Sequence, residues 1–381
     1  MQRDAAHGYV LEELLAWLIR NAGYRLLVDP VQDPRELARR GAGLVVRGRG
    51  GVHQADVLGE LAWIPAFTFP IRLFVEAKFR GSKIGLPEVR AAVGIIDDLN
   101  QNFSPIFPGS QPATQRYAYR YALFSASGFT GTAVDMATAH QISLIDLRAP
   151  GFHDLLDIVR ASVAALFGGT RARSARVSHA DVRTRVRQVL GTWPIEVPRE
   201  PRDELEVAVV ADVFEPEDAP ELREPENRGY VPGPGDVAEF EQRLSEGATS
   251  LGEFFLGVPN GPFLLLLRAS NPAAFLTFAR ANPSHDVHIT WDLEVENGEE
   301  WSIFPVAEPD AYHLRFALPQ RLAEWIFERA EEATAQAAHA KRRYLSRISV
   351  YRHEDGHDEI FSLMYQPGAT AAQRRARREQ R

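Results

Sequence analysis

The chain predicts an α/β protein, a mixed sheet flanked by helices, followed by a C-terminal α+β unit. Three observations predict it. Apolar runs at 71–79, 120–127 and 142–147 have the length of buried strands. Segments of helical periodicity precede and separate them, which is an α/β order. A stretch rich in Pro and Glu at 194–236 divides this pattern from a later one.

Residues 8–22 open with a helix, because Val10, Leu11, Leu14, Leu15, Leu18 and Ile19 fall at helical spacing and Gly23 supplies a stop. A mixed stretch then ends in the glycine-rich GAGLVVRGRGG at 41–51, and a strand runs through Ala55–Leu58. IRLFVEAKF at 71–79 reads as a central strand with polar residues at its end. Residues 86–99 fit a helix with Pro87 in its first turn, where proline is tolerated. RYALFSAS at 120–127 is a strand, GFTGTAVDMATAHQ at 128–141 a turn into a helix, and ISLIDL at 142–147 a last buried strand. Helices over 152–167 and 178–191 follow.

The expected divisions are a first domain over 1–168, a helical connector over 169–193, an acidic Pro-rich linker over 194–236, an α+β domain of unknown role over 237–366 and a basic tail over 367–381. The linker cannot bury enough surface to fold alone, although VAVVADVF at 207–214 can add a strand. Beyond it, Asp236 and Glu239 resemble a capping box, and Asn271-Pro272 starts a short helix. Asn297-Gly298 signals a hairpin, a long helix covers 319–345, and a last hairpin turns at Asp355-Gly356. There are no internal repeats.

Composition narrows the function classes. With 381 residues, 45% hydrophobic and 25% charged, two or three globular domains are expected. FLLLL at 263–267 is too short to span a membrane and MQRDAAHGY lacks a signal-peptide pattern, so a cytoplasmic protein with no membrane partner is expected. Absence of cysteine excludes disulfide scaffolds, thiol catalysis and Cys-ligated zinc. Residues 1–193 carry 23 basic and 17 acidic side chains, a balance of +6, whereas 194–236 and 237–366 each stand at −9. That split suggests a polyanion-binding module beside a part that avoids nucleic acid. Lysine occurs only at Lys78, Lys83 and Lys341, so two of three lie in one short segment.

That segment holds the chemistry. In VEAK, Glu76, a spacer and Lys78 on a strand put both side chains on one face. Asp56, at the end of the neighbouring predicted strand, can approach Glu76. Two adjacent carboxylates repel unless a cation lies between them, and oxygen ligands of this kind suit Mg²⁺ (or Mn²⁺). Lys78 would then orient or help deprotonate a water and stabilise phosphate charge. Taken singly, Glu76 and Lys78 also fit a solvated strand end, and Glu12 or Glu13 ordinary polar positions of an amphipathic helix. Other groups carry less. His53 reads as structural, HEDGHDE at 353–359 as an acidic hairpin, and Ser125 and Ser127 have no triad partners.

Four stretches in order, GYVLEELLAWLIRNAGY at 8–24, HQADV at 53–57, VEAKFRGSKIG at 75–85 and LFSASGFTGTAVDMATAHQISLID at 123–146, resemble the PD-(D/E)xK nuclease superfamily, within it the Mrr-type restriction endonucleases. The resemblance covers about residues 7–148. It implies a restriction-endonuclease-like fold and a metal-dependent DNA endonuclease of restriction or anti-phage defence. It also implies Asp56, Glu76 and the Ala77 carbonyl as metal ligands, Lys78 as the catalytic lysine, and Glu12 as the first-helix glutamate bordering the site. Two departures stand out. Asp56 and Glu76 are farther apart than a tight hairpin needs, so LAWIPAFTFP forms an insertion, and Ala55 replaces the proline before Asp56. DNA is the expected partner, with a second copy or other defence-system proteins as further candidates. The alternative is a catalytically inactive nuclease-like fold that binds nucleic acid or oligomerises.

Overall fold

The structure is a computed structural model and describes residues 1–41, 43–62, 68–101, 117–148, 152–192, 229–251, 254–261, 265–291, 300–318, 320–327, 332–354 and 357–366. The expected linker body and its strand at 207–214, the Asn297-Gly298 and Asp355-Gly356 turns and the tail all lie outside the described residues.

The first half runs α1 (Arg3–Asn21), β1 (Tyr24–Leu26), β2 (Leu37–Arg40), β3 (Gly43–Arg47), β4 (Val52–Gln54), β5 (Val57–Leu61), β6 (Ile71–Lys78), α2 (Leu86–Asn100), β7 (Ala118–Ser125), α3 (Gly131–Ala139), β8 (Ser143–Asp146), α4 (His153–Leu166) and α5 (His179–Val189). A five-stranded sheet has the order β1-β5-β6-β7-β8, antiparallel from β1 to β6 and parallel from β6 to β8. The protein is therefore mixed α/β. Strand alternation sorts the core. Val57, Leu73, Val75, Ala77, Ala122 and Phe124 pack with α1 and α4, whereas Leu58, Phe74, Tyr121 and Leu123 pack with α2 and α3. Leu11, Leu14 and Leu15 of α1 are fully buried, each worth about 1.5–3 kcal/mol of transfer free energy.

One expectation is sharpened here and another corrected. The mixed stretch that ends in GAGLVVRGRGG carries strands of its own, because β2 and β3 fall within it and join β4 in a second, antiparallel sheet. The strand expected over 55–58 is not one strand. Ala55 N donates to Leu44 O in the small sheet (3.3 Å), while Asp56 N donates to Val75 O in the large one (3.1 Å). The chain changes sheets at this peptide, so Asp56 precedes β5 and does not end a strand.

The second half runs α6 (Pro234–Leu251), β9 (Phe254–Pro259), β10 (Leu265–Ala269), α7 (Pro272–Ala281), β11 (Ser284–Trp291), β12 (Glu300–Pro305), β13 (Leu314–Ala317), α8 (Gln320–Phe327), α9 (Ala333–Tyr344), β14 (Arg347–Glu354) and β15 (His357–Tyr365). Its strands close into a barrel in the order β10-β13-β12-β11-β15-β14-β9, antiparallel except for β11 beside β15. Closure removes sheet edges and gathers Phe255, Phe275, Trp301, Phe316 and Phe361 into one apolar core. Asn271 caps α7 by accepting from Ala274 N (3.0 Å), as its pairing with Pro272 predicts. Asp236 differs from expectation. It lies inside the first turn of α6 and accepts from Gly233 N (2.7 Å) and the Tyr230 hydroxyl (2.6 Å). The single helix expected over 319–345 is two helices folded against each other, with the Trp325 and His339 rings 5.7 Å apart.

The halves share packing. Phe240 and Leu244 of α6 are fully buried in the core of α1 and α4, joined by Phe254, Leu256 and Leu266 from the barrel. Gly247 permits the close approach of α6 to α4, since a Cβ there would lie 2.6 Å from Ile158 Cγ2. Among the described residues, no helix is long and apolar enough to cross a membrane.

Candidate functional site

Antiparallel pairing of Val57 with Val75 sets the entry to β5 beside the exit of β6, so Asp56 comes against Glu76. Asp56 Oδ2 accepts a 2.8 Å hydrogen bond from Ala77 N. Alternation then turns Glu76 and Lys78 to the same face, where Lys78 Nζ lies 2.6 Å from Glu76 Oε1. From the adjacent parallel strand β7, the Tyr121 hydroxyl donates to Glu76 Oε2. Glu76 is thus held from both sides.

Glu12 reaches the same neighbourhood from α1. Burial, with the charge of Asp56 adding, pushes its carboxyl up to about 7. The Asp56 carboxyl is also raised, by burial and by Glu76, against the opposing pull of the Ala77 N–H and Lys78. Lys78 is itself raised: burial works against its charge, but the hydrogen bond and charge of Glu76 outweigh it. In the resting protein Lys78 is therefore an ammonium, suited to donating hydrogen bonds and not to acting as a base.

Helix α5 supplies residues that the sequence reading assigned only to a connector. Ser178 starts it by accepting from Asp181 N (3.0 Å), which aims Arg183 and Arg187 at α1. Arg183 Nη2 bonds Glu12 Oε2 at 2.7 Å, and its Nε lies 3.0 Å from Glu13 Oε1, an ion pair outside hydrogen-bond geometry. Arg187 Nε bonds Glu13 Oε2 at 2.8 Å. A cleft of about 300 Å³ opens here, with Glu12, Asp56, Arg39 and Arg183 in its wall. Glu76 and Lys78 lie outside that wall.

The structure thus brings Asp56, Glu76, Ala77 and Lys78 together and sets Glu12 within electrostatic reach of Asp56. Among the described residues, no three Asp, Glu or His side chains converge as a preformed metal cage. The available donors are all oxygens: two carboxylates and the Ala77 carbonyl. The lesser candidates have structural roles. His53 Nε2 pairs with Asp98 Oδ2 (2.7 Å), and Asp98 also accepts from Gly50 N (2.7 Å), clamping the glycine-rich loop. Ser125 Oγ donates to Gly128 O (3.0 Å) and Ser127 Oγ to Ser82 O (2.5 Å). These bonds shape the turn at Gly128, whose φ of +75° and whose closeness to Arg148 exclude a side chain. In the HEDGHDE strand pair, Glu359 is bound by Arg280 Nε at 2.7 Å.

The i, i+4 spacing of Arg183 and Arg187 was a legible sign of one cationic helix face. Nothing in the sequence aims that face at Glu12. Tyr121 is a polar tip in an apolar strand, but its meeting with Glu76 depends on a register between strands far apart in sequence.

No protein-family model and no curated protein matches the chain. A solved crystal structure of a protein of unknown function, AF1548, is similar over 48% of this chain and 98% of that one, with 15% identity and a TM-score of 0.26.

Proposed function

We propose that the chain is a Mg²⁺- or Mn²⁺-dependent endodeoxyribonuclease of the PD-(D/E)xK superfamily, with a restriction-endonuclease-like first domain. The observation that carries this reading is the meeting of Asp56, Glu76 and Lys78 where β5 enters and β6 leaves the sheet. The donor set fits a hard cation. Asp56 and Glu12 are both held above their ordinary range by burial and by neighbouring carboxylates, so a nearby cation would relieve each of them. Asp56, Glu76 and the Ala77 carbonyl would hold it.

When bound, the ion would lower the pKa of a water and neutralise charge on the phosphate. The chain's own groups do the rest. The Lys78 ammonium donates to the attacking water or to a non-bridging phosphate oxygen, favouring the charge that builds there. Tyr121 fixes the orientation of Glu76. Glu12, poised near neutrality, is placed to take the proton from water. A water oxygen bonds to phosphorus in line, the bond from phosphorus to the deoxyribose oxygen breaks, and that oxygen collects a proton from solvent.

Restriction or anti-phage defence is the setting by family analogy. One observation favours the rival reading of an inactive nuclease-like binding module, since both Glu76 oxygens are engaged by Lys78 and Tyr121. Incubating supercoiled plasmid with protein and Mg²⁺ or Mn²⁺ decides between them. Nicking that EDTA stops and Glu76→Ala abolishes supports the nuclease; equal cutting by both proteins, or none by either, overturns it.

A further inference from the structure

We infer that the β2–β3 hairpin is a DNA-docking element that seats against the sugar-phosphate backbone of a duplex beside the nuclease site. The identification of the polyanion as DNA rests on the proposed function above. Residues 35–49 contain Arg35, Arg39, Arg40, Arg47 and Arg49 against a single acid, Glu36. Three of the acids around this sheet are taken up by other groups. Glu36 accepts from the Tyr119 hydroxyl (3.3 Å), Asp33 pairs with the buried Arg72 (2.6 Å), and Asp98 is taken by His53. The arginines point outward. Arg35, Arg39, Arg40 and Arg49 are exposed, and among the described residues Arg40 and Arg49 make no ion pair.

Arg39 is paired with Asp29 at 2.8 Å, but its side chain is 50% exposed, and surface pairs of this sort contribute about 1 kcal/mol or less. It can exchange that partner for a phosphate at little cost. Strand alternation puts Arg39 and Arg40 on opposite faces of the hairpin, so the element presents cations on both sides. That arrangement suits a two-stranded ribbon entering the major groove with phosphates to either side, better than a flat face laid on one strand. Position supports the same occupant. Arg39 and Gly43 border the cleft that Asp56 and Glu12 wall, and the chain passes directly from β4 through Asp56 into β5. A backbone held by the hairpin is therefore led to Asp56. The barrel half as a whole, 237–366, carries a balance of −9, which opposes broad contact with a polyanion.

The test is fluorescence anisotropy of a labelled duplex titrated with full-length protein in EDTA, across a series of salt concentrations. Arg39→Ala with Arg40→Ala should flatten the dependence of log affinity on log salt by about two and lower affinity at low salt at least about tenfold. Arg40→Gln alone should flatten it by about one, and it removes no contact within the fold. Arg343→Ala on α9 should leave both quantities unchanged. A wild-type slope and affinity in the double variant, or no salt-sensitive binding by the wild type, overturns the inference. Cleavage is scored separately with metal: a protein that binds through the hairpin yet never cuts sinks the nuclease reading alone.

Discussion

The barrel and the five-stranded sheet are of similar strand length, but they bury different things. The barrel interior is aromatic and aliphatic, with Phe275 edge-on to Phe255, Tyr312 and Phe361 at 4.9–5.8 Å. The sheet half buries charge. Of the seven buried polar or charged residues among those described, only His288 belongs to the barrel; the sheet half includes Glu13, 3% exposed, and Arg72, 1% exposed. Arg72 lies over the Tyr117 ring at 3.3 Å and binds Asp33, Glu60 and the Tyr119 hydroxyl. A closed barrel satisfies its backbone and needs no charge inside. An open sheet ends in strand termini where carboxylates can be gathered, and burying them costs stability unless a purpose retains them. The difference concentrates buried charge in the sheet half, which is where the proposed chemistry would lie.

The sharpest way to break that comparison is to change one carboxylate in each half. Asp56→Asn keeps an acceptor for Ala77 N but removes a charge, and should cut metal-dependent cleavage by about a thousandfold, as a loss of several kcal/mol implies. Glu359→Gln in the barrel should leave cleavage rates as they were; comparable losses in plasmid assays would erase the distinction. Next in size is Arg72→Met, which strands Asp33 and Glu60 beside an apolar side chain. It should cost about 3–5 kcal/mol in urea unfolding, as breaking a buried ion pair does. A cost below about 1 kcal/mol would mean that the charges of the sheet half are no more than surface.

Lys78→Arg sharpens the comparison within the site. Arginine preserves charge but is longer and planar, and misplacing a water by about 1 Å costs on the order of a hundredfold in single-turnover rate. Near wild-type rates would leave Lys78 as mere positive potential. Tyr121→Phe should lower metal affinity about tenfold in calorimetric titration with little change in melting temperature, because it removes the hydrogen bond that orients Glu76. Unchanged affinity would make Tyr121 a packing residue.

The smallest expected effect is in pH dependence. The Glu12 carboxyl is pushed up to about 7 by burial, with Asp56 adding to it, from an ordinary value of 4.5. The folded protein thus keeps a proton that the unfolded chain has released. Glu12 supports folding fully below about 4.5 and loses that contribution as pH rises through about 7. Melting temperature should fall by a few degrees across this window, and Glu12→Gln should flatten the fall. A rise with pH in the wild type would contradict the sign.

Local pattern was enough for much of the sheet half. Helical spacing of Val10 through Ile19 foretold α1, and the apolar runs foretold β6, β7 and β8. Strand alternation and chain order foretold that Asp56, Glu76 and Lys78 would meet. What stayed hidden depends on pairings between distant segments. The sheet β2–β3–β4 is built of strands of three to five residues, too short to stand out as apolar runs. Barrel closure needs β9 beside β14 and β11 parallel to β15, and neither follows from periodicity. The arginines of α5 were visible as a face, but their target was not.

The burial of Phe240, Leu244 and Leu266 against α4 has a consequence for biosynthesis. When α4 leaves the ribosome, about a hundred residues that complete its covering, up to Leu266, have yet to be made. At about 5–20 residues per second that interval lasts roughly 5–20 s. During it the nascent sheet half carries an open apolar flank. Its final packing awaits the first strands of the barrel, so a chain truncated before them would emerge with the flank of α4 uncovered.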